Sequence, residues 1–149
     1  MPRALCGGNF RWPSLYGRGV FPGVQVRVLL VISVGGVLGS VSRYAIAELM
    51  GHGQVTDLAA TLTVNVIGAF AIGLAYAWIS SRRGSALWQP FVITGVLGGF
   101  TTFSTLAADL VIHDDQPLLV LGYLACTLII GLLAVPAGRR AFAAMSRPA

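Results

Sequence analysis

Four apolar stretches of the sequence constrain most strongly what this chain can fold into. They occupy residues 26–47, 58–80, 90–112 and 117–137. Each is close to the roughly 20 residues that a helix needs to cross the hydrocarbon core of a bilayer. Only 10% of the residues are charged and the mean hydropathy is +0.80, whereas soluble domains are about 25% charged. The sequence therefore predicts an all-α membrane protein with four transmembrane helices.

The third stretch contains a segment that is unfavourable for a continuous helix. Residues 95–105 read GVLGGFTTFST. Each glycine costs about 1 kcal/mol in a helix interior, and threonine loses rotamer freedom there. At membrane depth, irregular backbone is tolerated only where it is buried in protein or lines a polar cavity. The segment predicts a third helix broken in mid-membrane, with free carbonyls and hydroxyls typical of an ion site. A packing face of small residues is the alternative.

The flanks of the apolar stretches differ from the stretches themselves. Residues 1–25 contain arginine, proline and glycine but no apolar h-region of a secretory signal peptide. We expect a disordered N-terminal tail there, or a start codon placed too early. Residues 26–138 are expected to form one four-helix membrane domain, and 139–149 a short basic C-terminal tail.

Several polar residues lie inside the predicted spans. Arg43, late in the first span, is either a functional residue with an electrostatic role or an arginine that snorkels to the headgroups. Asn65, in the middle of the second, can donate hydrogen bonds to a ligand or clasp a neighbouring helix. Tyr123 and Thr127 share one face of the fourth span, as a polar stripe or a packing surface.

Other residue types exclude several classes of function. Cys6 and Cys126 are too few and too far apart for a disulfide framework or a zinc site. His52 and His113 fall in different loops and form no catalytic arrangement, so we expect no enzyme. The ten basic residues are all arginine and flank the apolar stretches, which favours membrane anchoring over nucleic-acid binding.

The carboxylates nearest the predicted spans lie close to span ends. Asp109 is expected to cap a helix, to pair with Arg43 or to mark the end of the third span, and Glu48 follows the first. A proton-coupled exporter would use a carboxylate deep in a span. The pattern therefore favours a passive path over a pump.

Three segments in order, GGVLGSVSRY at 35–44, TLTVNVIGAF at 61–70 and GVLGGFTTFST at 95–105, resemble the small four-helix fluoride channels of the Fluc/CrcB family. The resemblance implies an antiparallel, dual-topology-type dimer with two pores. It also implies a structural Na⁺ at the dimer centre, held by the backbone carbonyls of Gly98 and Thr101. Carbonyl oxygens suit such a hard cation.

The same resemblance implies a fluoride path lined by hydrogen-bond donors without charge, which bind an anion without trapping it. Aromatic ring edges are electropositive and can also face an anion. The residues expected to line the path are Asn65, Phe103, Ser104, Thr105, Tyr123 and Thr127.

The resemblance implies a fluoride-specific channel subunit in a bacterial inner membrane that exports fluoride passively from the cytoplasm and reduces its toxicity. A small four-helix multidrug-type exporter and a non-conducting membrane assembly subunit are the alternatives. The chain departs from the family at Leu106, where a second Phe is usual, and at Gly131, where Ser is frequent.

Arginine is distributed unequally between the two sides of the predicted bundle. With four spans, both termini and the middle loop share one side, which carries Arg3, Arg11, Arg18, Arg27, Arg82, Arg83, Arg139, Arg140 and Arg147. Because basic residues near span ends set orientation, we predict cytoplasmic termini. An antiparallel dimer then needs a subunit of opposite orientation. We expect a related paralogue in a heterodimer, or otherwise a second copy of this chain.

Overall fold

The computed structural model of the protein describes residues 26–81, 87–113 and 115–146. The predicted N-terminal tail at 1–25, the middle-loop residues Arg82 and Arg83, and the last residues at 147–149 lie outside these ranges. Expectations about those segments stay predictions.

Helices make up nearly all of the described ranges, in which no strand occurs. Four helical segments are long and apolar enough to span a bilayer, which confirms the predicted all-α chain with four transmembrane helices. The third of these, Pro90–Ile112, consists of two helices separated by a break. The helices are α1 (Val26–Met50), α2 (Gln54–Ser80), α3 (Pro90–Leu97, continued by Gly98–Phe100), α4 (Ser104–Ile112) and α5 (Pro117–Met145).

Glycine and proline set several of the helix ends. Gly51 and Gly53 have φ angles of 81° and 154°, which side chains with a Cβ rarely adopt, and they turn the chain between α1 and α2. Pro90 and Pro117 lie in the first turns of α3 and α5, where the missing proline N–H leaves no helical bond unmade.

The last helix is longer than the apolar stretch alone predicts. The stretch was expected to end at residue 137, but α5 continues through Arg139 and Arg140 to Met145. Alanine and arginine are strong helix formers, which accounts for the extension. The basic segment predicted at 139–149 therefore begins inside a helix.

Contacts between helices show which spans run in the same direction. Gly39 of α1 lies against Val96 of α3, and one turn later Arg43 reaches Thr101, so these two spans run in parallel. Tyr76, near the end of α2, contacts Arg139, near the end of α5, so these two spans also run in parallel. The side where α2 and α5 end carries Arg27, Arg139 and Arg140 and is called the basic end below. The opposite, acidic end carries Glu48, Asp57 and Asp115.

Two pairs of helices pack closely through glycine. A Cβ added to Gly39 would overlap the Val96 carbonyl of α3, and one added to Gly138 of α5 would overlap the Phe70 carbonyl of α2. Such small residues let membrane helices approach at backbone distance, where dispersion contacts are strongest.

Gly138→Ala is expected to lower the stability of the bundle by about 1–3 kcal/mol, because the new methyl group meets backbone that cannot move aside. Gly122→Ala, on the same helix, is the matched control, since a Cβ there has no atom of another helix within 4 Å. Thermal unfolding in detergent, followed by circular dichroism, measures both. Equal melting temperatures would contradict the packing described here.

Candidate functional site

The break in the third span lies between α3 and α4. α3 ends at Phe100, and Thr101 has an extended backbone with φ −77° and ψ 156°. Helix resumes at Ser104. The glycine- and threonine-rich segment therefore interrupts the helix inside the span, as the sequence predicts.

Asn65 of α2 holds the broken backbone with two hydrogen bonds. Its Nδ2 donates to the Thr102 carbonyl at 2.9 Å, and the Thr102 N–H donates to its Oδ1 at 2.8 Å. The side chain thus replaces the backbone partners that Thr102 would have in a continuous helix. Since a primary amide has two N–H donors, one remains for a ligand. Asn65 is therefore an interhelical clasp, and its ligand role stays a prediction.

The Thr102 hydroxyl caps the N-terminus of the next helix, α4. It accepts the Thr105 N–H at 3.1 Å and donates to the Thr105 hydroxyl at 2.9 Å, which is how a threonine caps a helix N-terminus. The Ser104 hydroxyl lies 3.3 Å from the Thr102 hydroxyl oxygen. Two predicted path residues, Ser104 and Thr105, are thus brought together with Asn65. Thr102 is not among the site residues predicted from the sequence, although a threonine just before a helix is a recognisable cap signal.

The break also changes the bonding of the carbonyls before it. Because the Thr102 N–H bonds Asn65, the Gly98 carbonyl loses its regular helical donor. The Thr101 carbonyl accepts a hydrogen bond from Arg43 Nη1 at 3.3 Å, and the Gly99 carbonyl accepts one from the Ser40 hydroxyl at 3.4 Å. Arg43 is therefore directed at the break and does more than snorkel to the headgroups.

The two predicted sodium ligands have oxygen chemistry that fits a hard cation. Gly98 is exposed in the single chain, and a Cβ added there would meet only the Ile93 carbonyl, at 3.6 Å. A carbonyl oxygen has two lone pairs, so Arg43 leaves one free at Thr101. Two carbonyls alone do not surround a hard cation, so further oxygen ligands would have to come from water or a second subunit.

Asp109 has a partner other than the ones considered from the sequence. Its side chain is buried at 6% exposure and accepts a hydrogen bond from the Tyr123 hydroxyl at 2.8 Å. His113 Nδ1 lies 2.9 Å from the Asp109 backbone carbonyl. No ion pair with Arg43 occurs in the described part of the chain. Asp109 therefore lies near the end of the third span, as expected, but its side-chain partner is Tyr123 of α5.

Phe103 lies in the break itself, whereas Tyr123 and Thr127 lie apart from it on α5. Phe103 is 76% exposed on the surface of the single chain. Tyr123 and Thr127 are buried in α5, and the Thr127 hydroxyl donates to the Tyr123 carbonyl of its own helix at 2.8 Å. Leu106 is also buried and packs against Tyr123 in a small apolar core.

A cavity of about 380 Å³ extends from the break towards the acidic end. Arg43 and Thr105 are the predicted functional residues among its lining. Asn65, Ser104 and Tyr123 do not line the cavity, but each forms a hydrogen bond with a residue that lines it. The polar lining residues are Ser40, Arg43, Tyr44, Asp57, Thr61, Thr102, Thr105 and Asp109.

Fold and site together define a small four-helix membrane protein whose third span is broken beside a polar cavity. The family described as CrcB-like protein, Camphor Resistance (CrcB), has a sequence model that matches residues 30–139. The chain belongs to this family, which confirms the resemblance found in the sequence.

Similar proteins come from several bacteria. The fluoride-specific ion channel FluC of Paracoccus denitrificans (strain Pd 1222) is 40% identical over 111 residues, covering 73% of this chain and 89% of that protein. FluC of Xanthomonas euvesicatoria pv. vesicatoria (strain 85-10) is 39% identical over 117 residues, with 75% and 87% covered. FluC 2 of Nocardia farcinica (strain IFM 10152) is 39% identical over 124 residues, with 78% and 86% covered.

Thr102→Val is expected to destabilise the protein by about 0.5–2 kcal/mol, the usual cost of losing a helix cap, because the Thr105 N–H loses its acceptor. Thr102→Ser keeps the hydroxyl and should retain nearly all of the stability. The free energy of unfolding in detergent distinguishes the two variants. If valine and serine gave the same stability, the hydroxyl would not act as a cap.

Proposed function

We propose that this chain is a subunit of a fluoride-specific channel that exports fluoride passively through a bacterial inner membrane and thereby reduces fluoride toxicity. The observation that carries the proposal is the identity of about 40% to proteins named fluoride-specific ion channels, over about three quarters of the chain. The family consists of channels rather than enzymes. A multidrug-type exporter and a non-conducting subunit have no support of this kind.

The residues at the break supply chemistry suited to a small, strongly hydrated anion. Such an ion crosses only if hydrogen-bond donors replace its water, and donors without charge let it leave again. The free N–H of Asn65 and the hydroxyls of Ser104 and Thr105 are donors of this kind. Tyr123, Thr127 and the ring edge of Phe103 would continue the path. Arg43 adds a positive charge beside it.

The direction of flow follows from the membrane potential and needs no coupled ion. Moving one charge through 100 mV is worth about 2.3 kcal/mol, so a negative interior drives fluoride outwards.

We also propose that the Gly98 and Thr101 carbonyls contribute to a structural sodium site between two subunits. Two observations support this site: the Gly98 carbonyl has lost its regular helical hydrogen-bond donor, and Gly98 is exposed in the single chain. A bound cation there would raise the electrostatic potential for anions nearby. The exposed Phe103 side chain is consistent with a surface that a second subunit covers.

The second subunit is proposed to have the opposite orientation in the membrane. Arginine is concentrated at the basic end of this chain and the acidic residues at the other. This bias favours one orientation, with both termini cytoplasmic. A related paralogue with the reverse bias would complete the antiparallel dimer, and a second copy of this chain is the alternative partner.

Efflux from proteoliposomes tests the channel and its path. Fluoride is expected to leave while chloride stays, using the chain alone or co-purified with its oppositely oriented partner. Asn65→Asp should lower fluoride flux at least about a hundredfold. The new carboxylate and a fluoride ion about 4 Å away would repel each other by about 4 kcal/mol at an effective dielectric constant of about 20. Ser42→Ala, whose exposed hydroxyl bonds its own helix, is the control.

Equal permeation of chloride, or no fluoride flux from either preparation, would refute the proposed function. Full flux in a correctly folded Asn65→Asp protein would leave the channel proposal standing but would remove Asn65 from the anion path. Size-exclusion chromatography establishes folding, which matters because the substitution also removes the donor to the Thr102 carbonyl.

Sodium dependence tests the cation site. In protein purified without sodium, fluoride flux should be lost in a large organic cation such as N-methylglucamine and restored by Na⁺. Thr101→Ser should retain the response, since the proposed ligand is a backbone oxygen. A bulky residue at Gly98 should abolish it. Equal flux in both cations would exclude the proposed site.

Orientation is measured with single cysteines in a Cys6→Ser, Cys126→Ser background. His52→Cys, in an exposed turn at the acidic end, should react with a membrane-impermeant maleimide in intact cells. Ser146→Cys should react only after permeabilisation, because it follows α5 on the cytoplasmic side. Labelling of both sites from outside, with full flux from the lone subunit, would contradict a fixed orientation and the heterodimer.

A further inference from the structure

A second pocket lies between α2 and α5 at the basic end, away from the break. Its volume is about 440 Å³. Tyr76 and Ser80 of α2 form one wall, and Pro136, Arg139 and Arg140 of α5 form the other. Neither the proposed anion path nor the proposed sodium site uses these residues.

The pocket has an uncompensated positive charge. Arg139 and Arg140 contribute two guanidinium groups, and none of its lining residues is acidic. In the described part of the chain, no carboxylate forms an ion pair with either arginine. Guanidinium groups present a planar fork of donors that matches phosphate oxygens, so a phosphate group is the ligand that this charge and geometry fit.

Arg139 is held in place by an aromatic ring. Its guanidinium carbon lies 5.7 Å from the centroid of the Tyr76 ring, within the distance of a cation–π contact. The hydroxyl of Ser80 is a further donor in the same pocket.

Tryptophan side chains lie at the same end of the bundle as the pocket. Trp78 of α2 and Trp88 stack edge-to-face at 5.7 Å at the same end of the bundle, and Trp88 contacts Phe91 at 6.2 Å. Tryptophan is enriched at membrane interfaces. One turn before Pro136 in α5, Leu132 and Leu133 are exposed, and this apolar surface beside the pocket suits acyl chains.

We propose that this pocket binds the phosphate of an anionic phospholipid headgroup. Basic pockets between membrane helices recognise such headgroups, and each arginine near an anionic surface contributes about 1 kcal/mol. The apolar surface beside the arginines favours a lipid over free phosphate. The lipid would anchor the ends of α2 and α5, which also carry the helix contact at Gly138.

The test is native mass spectrometry of the full chain, purified in detergent with phosphatidylglycerol or phosphatidylcholine. Phosphatidylglycerol should be retained preferentially. Arg139→Gln should reduce its retention about fivefold, the factor that corresponds to one arginine near an anionic surface. Arg27→Gln is the matched control, because it removes the same charge at the same end outside the pocket. Arg140→Gln serves as a second variant if Arg139→Gln does not fold.

Three results would overturn the proposal. Equal loss of lipid in Arg27→Gln and Arg139→Gln would mean attraction by surface charge alone. Equal retention of phosphatidylcholine would mean that the headgroup charge is not recognised. Displacement of the lipid by millimolar inorganic phosphate would identify the pocket as a site for free phosphate.

Discussion

The two hydrogen bonds between the Asn65 side chain and the Thr102 backbone are the interaction on which the rest of the site depends. An N–H and a carbonyl left unpaired inside a membrane would each cost several kcal/mol. Asn65 satisfies both at once, at 2.8 and 2.9 Å. The helix can therefore stop in mid-span, and the hydroxyls and carbonyls around the stop become available for ligands.

Several other features follow from that break. The Thr102 side chain, with its backbone fixed by Asn65, caps α4 and brings the hydroxyls of Ser104 and Thr105 together. The Thr101 carbonyl turns towards Arg43, which places a positive charge next to donors without charge. Close packing at Gly39 keeps α1 near enough for this contact. One polar clasp and one backbone interruption thus bring uncharged hydrogen-bond donors and the Arg43 guanidinium to the same part of the fold.

Much of this architecture can be predicted from the sequence because it rests on local properties. Length and hydropathy give the four spans, and residues 95–105 give the break through their glycine and threonine content. Contacts between helices cannot be predicted in this way, because the spacing of residues along one helix does not identify the residues of another helix that pack against it. The position of Asp109 near a span end is predictable, but its hydrogen bond from Tyr123 of another helix is not. Asn65 had two open interpretations until the position of Thr102 was known.

The central claim is that Asn65 holds the break open, and amide hydrogen exchange at Thr102 tests it most directly. In the wild-type protein the Thr102 amide should exchange as slowly as amides inside α2, because its N–H is bonded to Asn65 Oδ1. Asn65→Ala should make that amide exchange fast while the interior of α2 stays protected. Fast exchange at Thr102 in the wild type, or slow exchange unchanged in Asn65→Ala, would contradict the account.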